Sequence, residues 1–238
     1  MPEIFGVKII QDLCINRFEE LLNYLPDDKV LKIKKFRRYE DSLRALTAQI
    51  LIRTIACSKL NKDKRLIKFA AGPNGKPYID NEDNFHFNIS HSGDWVVCAV
   101  SYRPVGIDVE RIKEIDFAIA KRFFSKEEAK DLFSKEGEEE KKDYFFKLWT
   151  LKESYIKADG RGLNIPLNSF SFRVIDNEII FNTQNNLKNC FFKRYKIDQY
   201  YKLSICSLTP KFPKTIEMTE GEVLLSEFLS LCEKEAKI

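Results

Sequence analysis

The chain has 238 residues and a formal charge of +4, with 44% hydrophobic and 13% aromatic residues, 19 of them Phe. That length and composition support a sizeable core in one large domain or two small ones, and exclude a disordered low-complexity chain. No apolar run approaches the roughly 20 residues of a membrane helix, and the start MPEIFGVKIIQDLC lacks a signal-peptide pattern.

Six cysteines lie far apart with no C-x-x-C pair, which argues against a zinc site and for a reducing, cytoplasmic setting. The charge is unevenly spread. Residues 1–70 carry 15 Lys and Arg against 9 Asp and Glu, so a basic first third faces an anionic partner or ligand.

In chain order, IFGVKII (4–10) reads as a strand, and 14–25 and 27–35 as helices. Tyr39–Leu60 is a longer helix, with Leu43, Leu46, Ile50, Leu51 and Ile55 at helical spacing. AAGPNGKP is a turn cluster. HFNIS (86–90) and WVVCAVS (95–101) are strands around the turn Ser92-Gly93-Asp94. VGIDVE (105–110) follows the break at Arg103-Pro104.

Ser125 ahead of Glu127 and Glu128 is a helix N-cap. A charged stretch at 135–143 leads into a helix through Asp159. Strands return as SFSFRVI, EIIFNT, CFFKRYKI and YYKLSICSL, and the helix GEVLLSEFLSLCEK closes the chain. The mixture lacks regular βαβ alternation, so the fold class is α+β. A boundary near Pro104 divides it into residues 1–104 and 105–238.

Four short segments carry chemistry. In VGIDVE, Asp108 and Glu110 share one strand face, opposite Ile107 and Val109. Two carboxylates so close favour a cation between them, and a hard divalent ion with oxygen ligands suits them. A wet edge strand would show the same triplet. In KLWTLKESYIK (147–157), Trp149, Glu153 and Lys157 line one helical stripe, which could be a third carboxylate with its cation or an ordinary surface salt bridge.

GKP (75–77) offers a flexible glycine, a cation and a rigid proline. NISHS (88–92) sets Asn88, Ser90 and His91 near a strand end, where hydroxyl, amide and imidazole groups suit phosphate. Lys29 and Lys32 share a helical face in a basic run that ends at Arg44. Together these read as equipment for phosphoryl or phosphodiester chemistry.

The pair V-G-I-D-V-E and W-T-L-K-E-S-Y-I-K, with G-K-P and F-N-I-S-H-S upstream, resembles the signature set of the 4′-phosphopantetheinyl transferases. The basic segment 29–44 makes the chain similar to their long, surfactin-synthetase-activating type. The likeness runs from Lys29 through Phe172. It implies two pseudo-symmetric α+β halves in one chain, with coenzyme A in the cleft between them. It also implies transfer of the phosphopantetheine arm to a serine of an apo peptidyl or acyl carrier protein, releasing 3′,5′-ADP.

By the same resemblance, Asp108, Glu110 and Glu153 hold Mg²⁺, and Glu153 and Lys157 are catalytic. Lys29, Lys32, Arg44, Lys76, Ser90 and His91 bind the phosphates of coenzyme A. Gly75, Pro77 and Asn88 shape that pocket. Whether Glu153 is the base or only a ligand stays open. Residues 119–128, with Lys121, Arg122 and Phe123, are the expected carrier-docking surface, although one of Phe123 and Phe124 belongs equally well in a core.

The expected protein is a cytoplasmic monomer that binds neither nucleic acid nor membrane. Two alternatives are a Mg²⁺-dependent nuclease and a coenzyme A-binding module without turnover. Nuclease motifs set Glu and Lys two apart on a strand rather than four apart on a helix, and intact Asp108, Glu110, Glu153 and Lys157 disfavour the silent module.

Overall fold

A computed structural model describes residues 1–176 and 178–233. Its strands are β1 (Glu3–Lys8), β2 (Phe69–Ala71), β3 (Pro77–Ile79), β4 (His86–Ser92), β5 (Trp95–Ser101), β6 (Val105–Arg111), β7 (Phe170–Ile175), β8 (Glu178–Thr183), β9 (Phe191–Tyr195), β10 (Tyr201–Ser207) and β11 (Glu217–Thr219). Its α-helices are α1 (Ile15–Leu22), α2 (Asp27–Lys34), α3 (Tyr39–Leu60), α4 (Ala118–Phe123), α5 (Lys126–Phe133), α6 (Glu138–Asp159) and α7 (Gly221–Glu233). The fold is α+β. The expected closing helix runs to Lys234, which lies outside the described residues.

Two sheets stack between two groups of helices. The first has the order β11-β1-β5-β4, the second β6-β10-β9. One face of the first sheet (Phe5, Val7, Val96, Cys98, Val100) packs on α1, α3 and α7. Its other face (Ile4, Val97, Ala99) meets Val105, Ile107, Val109, Leu203 and Ile205 of the second sheet. The far face of the second sheet receives α6 and an aromatic cluster around Phe145, Tyr155, Phe170 and Phe172. Burial on both faces explains why β5 reads as a nearly continuous apolar run, whereas β6 alternates and turns Gly106, Asp108 and Glu110 to one face.

The 22-residue helices α3 and α6 are the counterparts in the two halves. Each begins with acids in its first turn and ends in a left-handed residue, Asn61 or Gly160, both favourable for helix termini. The Pro104 break separates the two sheets. The halves are not segregated along the chain, however. β11 pairs in parallel with β1, and Leu224, Leu225, Phe228 and Cys232 of α7 join the core under α3. Residues 217–233 thus pack with the first half, although they follow the second in sequence.

Candidate functional site

The site forms where β6 passes between α6 and β4. Its first requirement is Gly106. A Cβ there would lie 2.1 Å from the Ser154 carbonyl oxygen and 2.4 Å from the Ala158 nitrogen, so only glycine lets the helix settle this low on the strand. From its other side, α6 is held by Lys152. That ammonium is fully buried, pairs with buried Glu128 at 2.7 Å, and donates to the carbonyls of Leu167 and Phe170 at 2.8 Å each. Glu128 also accepts from the N–H groups of Ser125 and Phe172. With helix height and rotation so fixed, Glu153 and Lys157 face Asp108.

Lys157 does not pair with Glu153 one turn before it. Its ammonium reaches across to Asp108 Oδ1 at 2.6 Å and to Ser90 Oγ at 3.0 Å. Ser90 Oγ in turn donates to Asp108 Oδ1 at 2.9 Å. Asp108 Oδ2 is buried without a hydrogen-bond partner. Glu110 is half-buried, and its Oε2 accepts from Ser92 Oγ at 2.9 Å.

The NISHS motif has a mechanical part that its composition did not reveal. Asn88, Ser90 and Ser92 lie two apart on the β4 face opposite Ile89 and His91. Their oxygens accept the N–H groups of Ile107 (2.8 Å), Val109 (3.3 Å) and Arg111 (3.1 Å), every second residue along β6. This comb joins an edge strand of one sheet to an edge strand of the other by side chains rather than by a backbone ladder. It also fixes the register that brings Ser90 to Asp108 and Ser92 to Glu110.

Desolvation is the main influence on the three carboxylates. Burial, then the charge of Asp108, raises Glu153 from 4.5 to about 7, against the pull of Lys157. Burial and the Asp108 charge also raise Glu110. Burial raises Asp108 itself, opposed by Lys157 and Ser90. Like charges in a low-dielectric setting resist ionising together. Three oxygen-donor side chains could therefore hold a hard divalent cation. Among the described residues the cluster is open, and no three His, Cys, Asp or Glu side chains close on one metal-sized point.

Arg44 and His91 stand on the other side of β4. Arg44 pairs with Asp41 and donates to the Gly93 carbonyl at 2.8 Å, which ties the start of α3 to the β4–β5 turn. His91 has an exposed side, yet desolvation by the surrounding protein, then the charges of Arg44 and Lys157, lower its pKa. Gly93 has φ +54°, and a Cβ there would lie 2.2 Å from the Tyr201 hydroxyl, so a side chain would block the turn that presents His91.

Lys32 is exposed on α2. Lys29 pairs with Asp28 at 2.9 Å and lines a pocket of about 490 Å³ with Tyr24, Arg53, Lys64, Lys68 and Phe69. The buried Arg53 guanidinium lies 4.8 Å from the Phe69 ring centroid, and burial holds its pKa down to about 10.

Lys76 is placed differently from the phosphate contact expected for it. Its ammonium donates to the carbonyls of Lys157 (2.6 Å), Ala158 (3.1 Å) and Val105 (3.2 Å), and burial lowers its pKa to about 8. It caps the C-terminus of α6, where a cation is favoured, and ties that end to the start of β6. Gly75, with φ +81°, makes the turn that aims it, and Pro77 opens β3.

The structure thus brings together Asp108, Glu110, Glu153, Lys157 and Ser90, with Asn88 locking the strand beside them. Arg44 and His91 stand across β4, and Lys29 lines the separate pocket. Of the expected docking surface, Phe124 is buried, while Phe123 is half-buried with its ring edge toward Trp149 at 6.2 Å. Ser92, Gly106, Arg53 and the Lys152–Glu128 pair were not anticipated from sequence. The period-2 pattern Asn88, Ser90, Ser92 was the available signal for Ser92.

Comparison with known proteins gives a consistent result. Residues 104–206 match the family model of the 4′-phosphopantetheinyl transferase superfamily, and residues 14–103 match that of the 4′-phosphopantetheinyl transferase N-terminal region. The chain is similar to 4′-phosphopantetheinyl transferase Sfp of Bacillus subtilis (strain 168), 39% identical over 224 residues that span 94% of this chain and 100% of that protein. It is 38% identical to 4′-phosphopantetheinyl transferase gsp of Aneurinibacillus migulanus, over 87% of this chain and 86% of that one. It is 32% identical to the L-aminoadipate-semialdehyde dehydrogenase-phosphopantetheinyl transferase of Mus musculus, over 78% of this chain and 67% of that one.

Proposed function

The chain belongs to the 4′-phosphopantetheinyl transferase superfamily, and from that premise we propose that it moves the 4′-phosphopantetheine arm of coenzyme A onto a serine of an apo carrier protein, releasing 3′,5′-ADP. The observation that carries this reading is the partly buried cluster of Asp108, Glu110 and Glu153, with Lys157 bonded to Asp108.

The cluster fits Mg²⁺. Asp108 Oδ2 is buried without a partner, and burial, then the charge of Asp108, raises Glu110 and Glu153. Asp108, Glu110 and Glu153 would hold the ion, which when bound supplies charge neutralisation on the pyrophosphate.

The remaining work falls to the chain's own groups. The carrier serine is a weak nucleophile at its ordinary pKa and needs a base. Glu153 is the group we assign to take that proton, with an oxygen left free of the ion. The Lys157 ammonium lies beside the cluster and is placed to give a proton to the departing phosphate or to stabilise its charge. Lys29, Lys32 and Arg44 supply cations, and His91 an imidazole N–H, for the phosphates of coenzyme A, the 3′-phosphate included. Ser90 and the Gly75–Pro77 turn border the same cleft. The carrier docks on the second half near Lys121, Arg122 and Phe123. The protein acts as a monomer in the cytoplasm.

The test is to incubate the protein with coenzyme A, Mg²⁺ and an apo peptidyl carrier protein and weigh the intact carrier. A gain of one phosphopantetheine arm is expected, abolished by EDTA and by replacing the carrier serine with alanine. No gain with peptidyl, acyl and aryl carriers alike, with coenzyme A still bound, would refute the transferase reading and leave a binding module.

A further inference from the structure

We propose that Ser92 is a positioning residue, whose hydroxyl aims the Glu110 carboxylate into the metal site. The inference rests on the reading of Glu110 as a metal ligand.

The three carboxylates are not held alike. Asp108 is short, buried and fixed at Oδ1 by both Ser90 and Lys157. Glu153 is carried by a helix whose height and rotation are set by Gly106 and Lys152. Glu110 lies near the open end of β6, has one more rotatable bond than Asp108, and takes part in no ion pair among the described residues. Its hydrogen bond is the one from Ser92 Oγ to Oε2 at 2.9 Å.

The Ser92 hydroxyl is itself oriented. Its oxygen accepts the Arg111 N–H at 3.1 Å, so its single hydrogen is directed to the carboxylate. Ser92 pairs with Trp95 across the tight β4–β5 turn, which removes slack in its backbone. With Oε2 engaged, Oε1 is left as the ligating oxygen. Partners that orient metal-binding carboxylates in this way change metal affinity by about 10- to 100-fold when removed.

The site also explains why a serine serves here. Two residues earlier, Ser90 repeats the same pair of contacts, accepting the Val109 N–H and donating to Asp108. The repeat at the strand period means that one backbone register sets both carboxylates. A longer donor, with its hydroxyl farther from the backbone, would have to change its distance from β6, which the comb fixes.

The test compares Ser92→Thr with Ser92→Val, which match in shape and differ in the hydroxyl. Mn²⁺ affinity of the metal-free protein is read by paramagnetic titration, alongside the Mg²⁺ dependence of carrier modification. The expected result is wild-type-like Mn²⁺ binding for Ser92→Thr and about tenfold weaker binding for Ser92→Val. The half-saturating Mg²⁺ concentration should rise in parallel, while KM for coenzyme A at saturating Mg²⁺ stays within twofold.

Equal Mn²⁺ affinity in the Val and Thr variants would overturn the inference while leaving the transferase reading intact. A wild-type protein that neither binds Mn²⁺ nor modifies a carrier would instead defeat the transferase reading itself. If Ser92→Val does not fold, Ser92→Ala against wild type gives the same comparison with the smallest change in bulk.

Discussion

Replacing Glu153 with glutamine should make the metal-free protein more stable while removing its activity, and the gain should depend on pH in a defined direction. The Glu153 carboxyl is raised from 4.5 to about 7 in the folded chain. Below 4.5 it is protonated whether the chain is folded or not, so it costs nothing. Between 4.5 and 7 the unfolded chain has released the proton and the folded chain has kept it, so stability falls as pH rises. Above 7 the penalty is complete, about 3 kcal/mol if the site were sealed. Glu153 is partly open to solvent, which reduces this to about 2 kcal/mol.

Glutamine carries no such penalty at any pH. In EDTA at pH 8, Glu153→Gln should therefore unfold at a higher urea concentration and melt about 5 °C above wild type. At pH 5 the gap should shrink to about a quarter. Carrier modification should fall by at least about 100-fold. A variant no more stable than wild type at pH 8, or a gap equal at both pH values, would refute the strained-carboxylate account.

Three further outcomes follow from the same geometry. Gly106→Ala places a methyl 2.1 Å from the Ser154 carbonyl oxygen; it should lift α6 from β6, cost about 3 kcal/mol in urea unfolding and remove measurable transfer to the carrier. Lys152→Met leaves the buried Glu128 unpaired and should cost about 3–5 kcal/mol, while Lys152→Met combined with Glu128→Leu should recover most of that loss in the same denaturation assay. Lys76→Met removes the cap on the carbonyls of Lys157 and Ala158 and should lower kcat about tenfold, a charge-assisted hydrogen bond being worth roughly 1.5–3 kcal/mol; a change confined to KM for coenzyme A would instead mark Lys76 as a phosphate contact.

Much of the site was readable in sequence because its parts follow the periods of strand and helix. Asp108 and Glu110 are two apart on β6. Glu153 and Lys157 are four apart on α6. The bounds of α3, Tyr39–Leu60, were legible for the same reason. What could not be read was where long side chains end. Spacing suggested a Glu153–Lys157 pair or a metal site, yet the ammonium crosses to Asp108 on another element. Spacing likewise could not show that Lys76 turns inward to cap α6 or that Lys152 meets Glu128. These depend on tertiary distances between elements far apart in the chain. The return of β11 and α7 to the first sheet is hidden for the same reason, since a local pattern carries no information on which edge a strand joins.

A cluster of three carboxylates around one lysine is an unfavourable thing to bury, and the surrounding elements explain how the fold sustains it. The strain is local, on Asp108, Glu110 and Glu153, and each restraint acts on a different degree of freedom. Gly106 sets the helix height, Lys152 and Glu128 its rotation, Lys76 its C-terminal end, and the Asn88–Ser90–Ser92 comb the register of β6. Without these, repulsion would be relieved by small movements of α6 or β6, and the carboxylates would separate into water. Because the restraints come from both sheets, the site exists only when the two halves are docked. The packing of β4 on β6 is then a structural requirement of the carboxylate cluster, since β4 of the first half supplies the hydroxyls that contact Asp108 and Glu110 of β6 in the second.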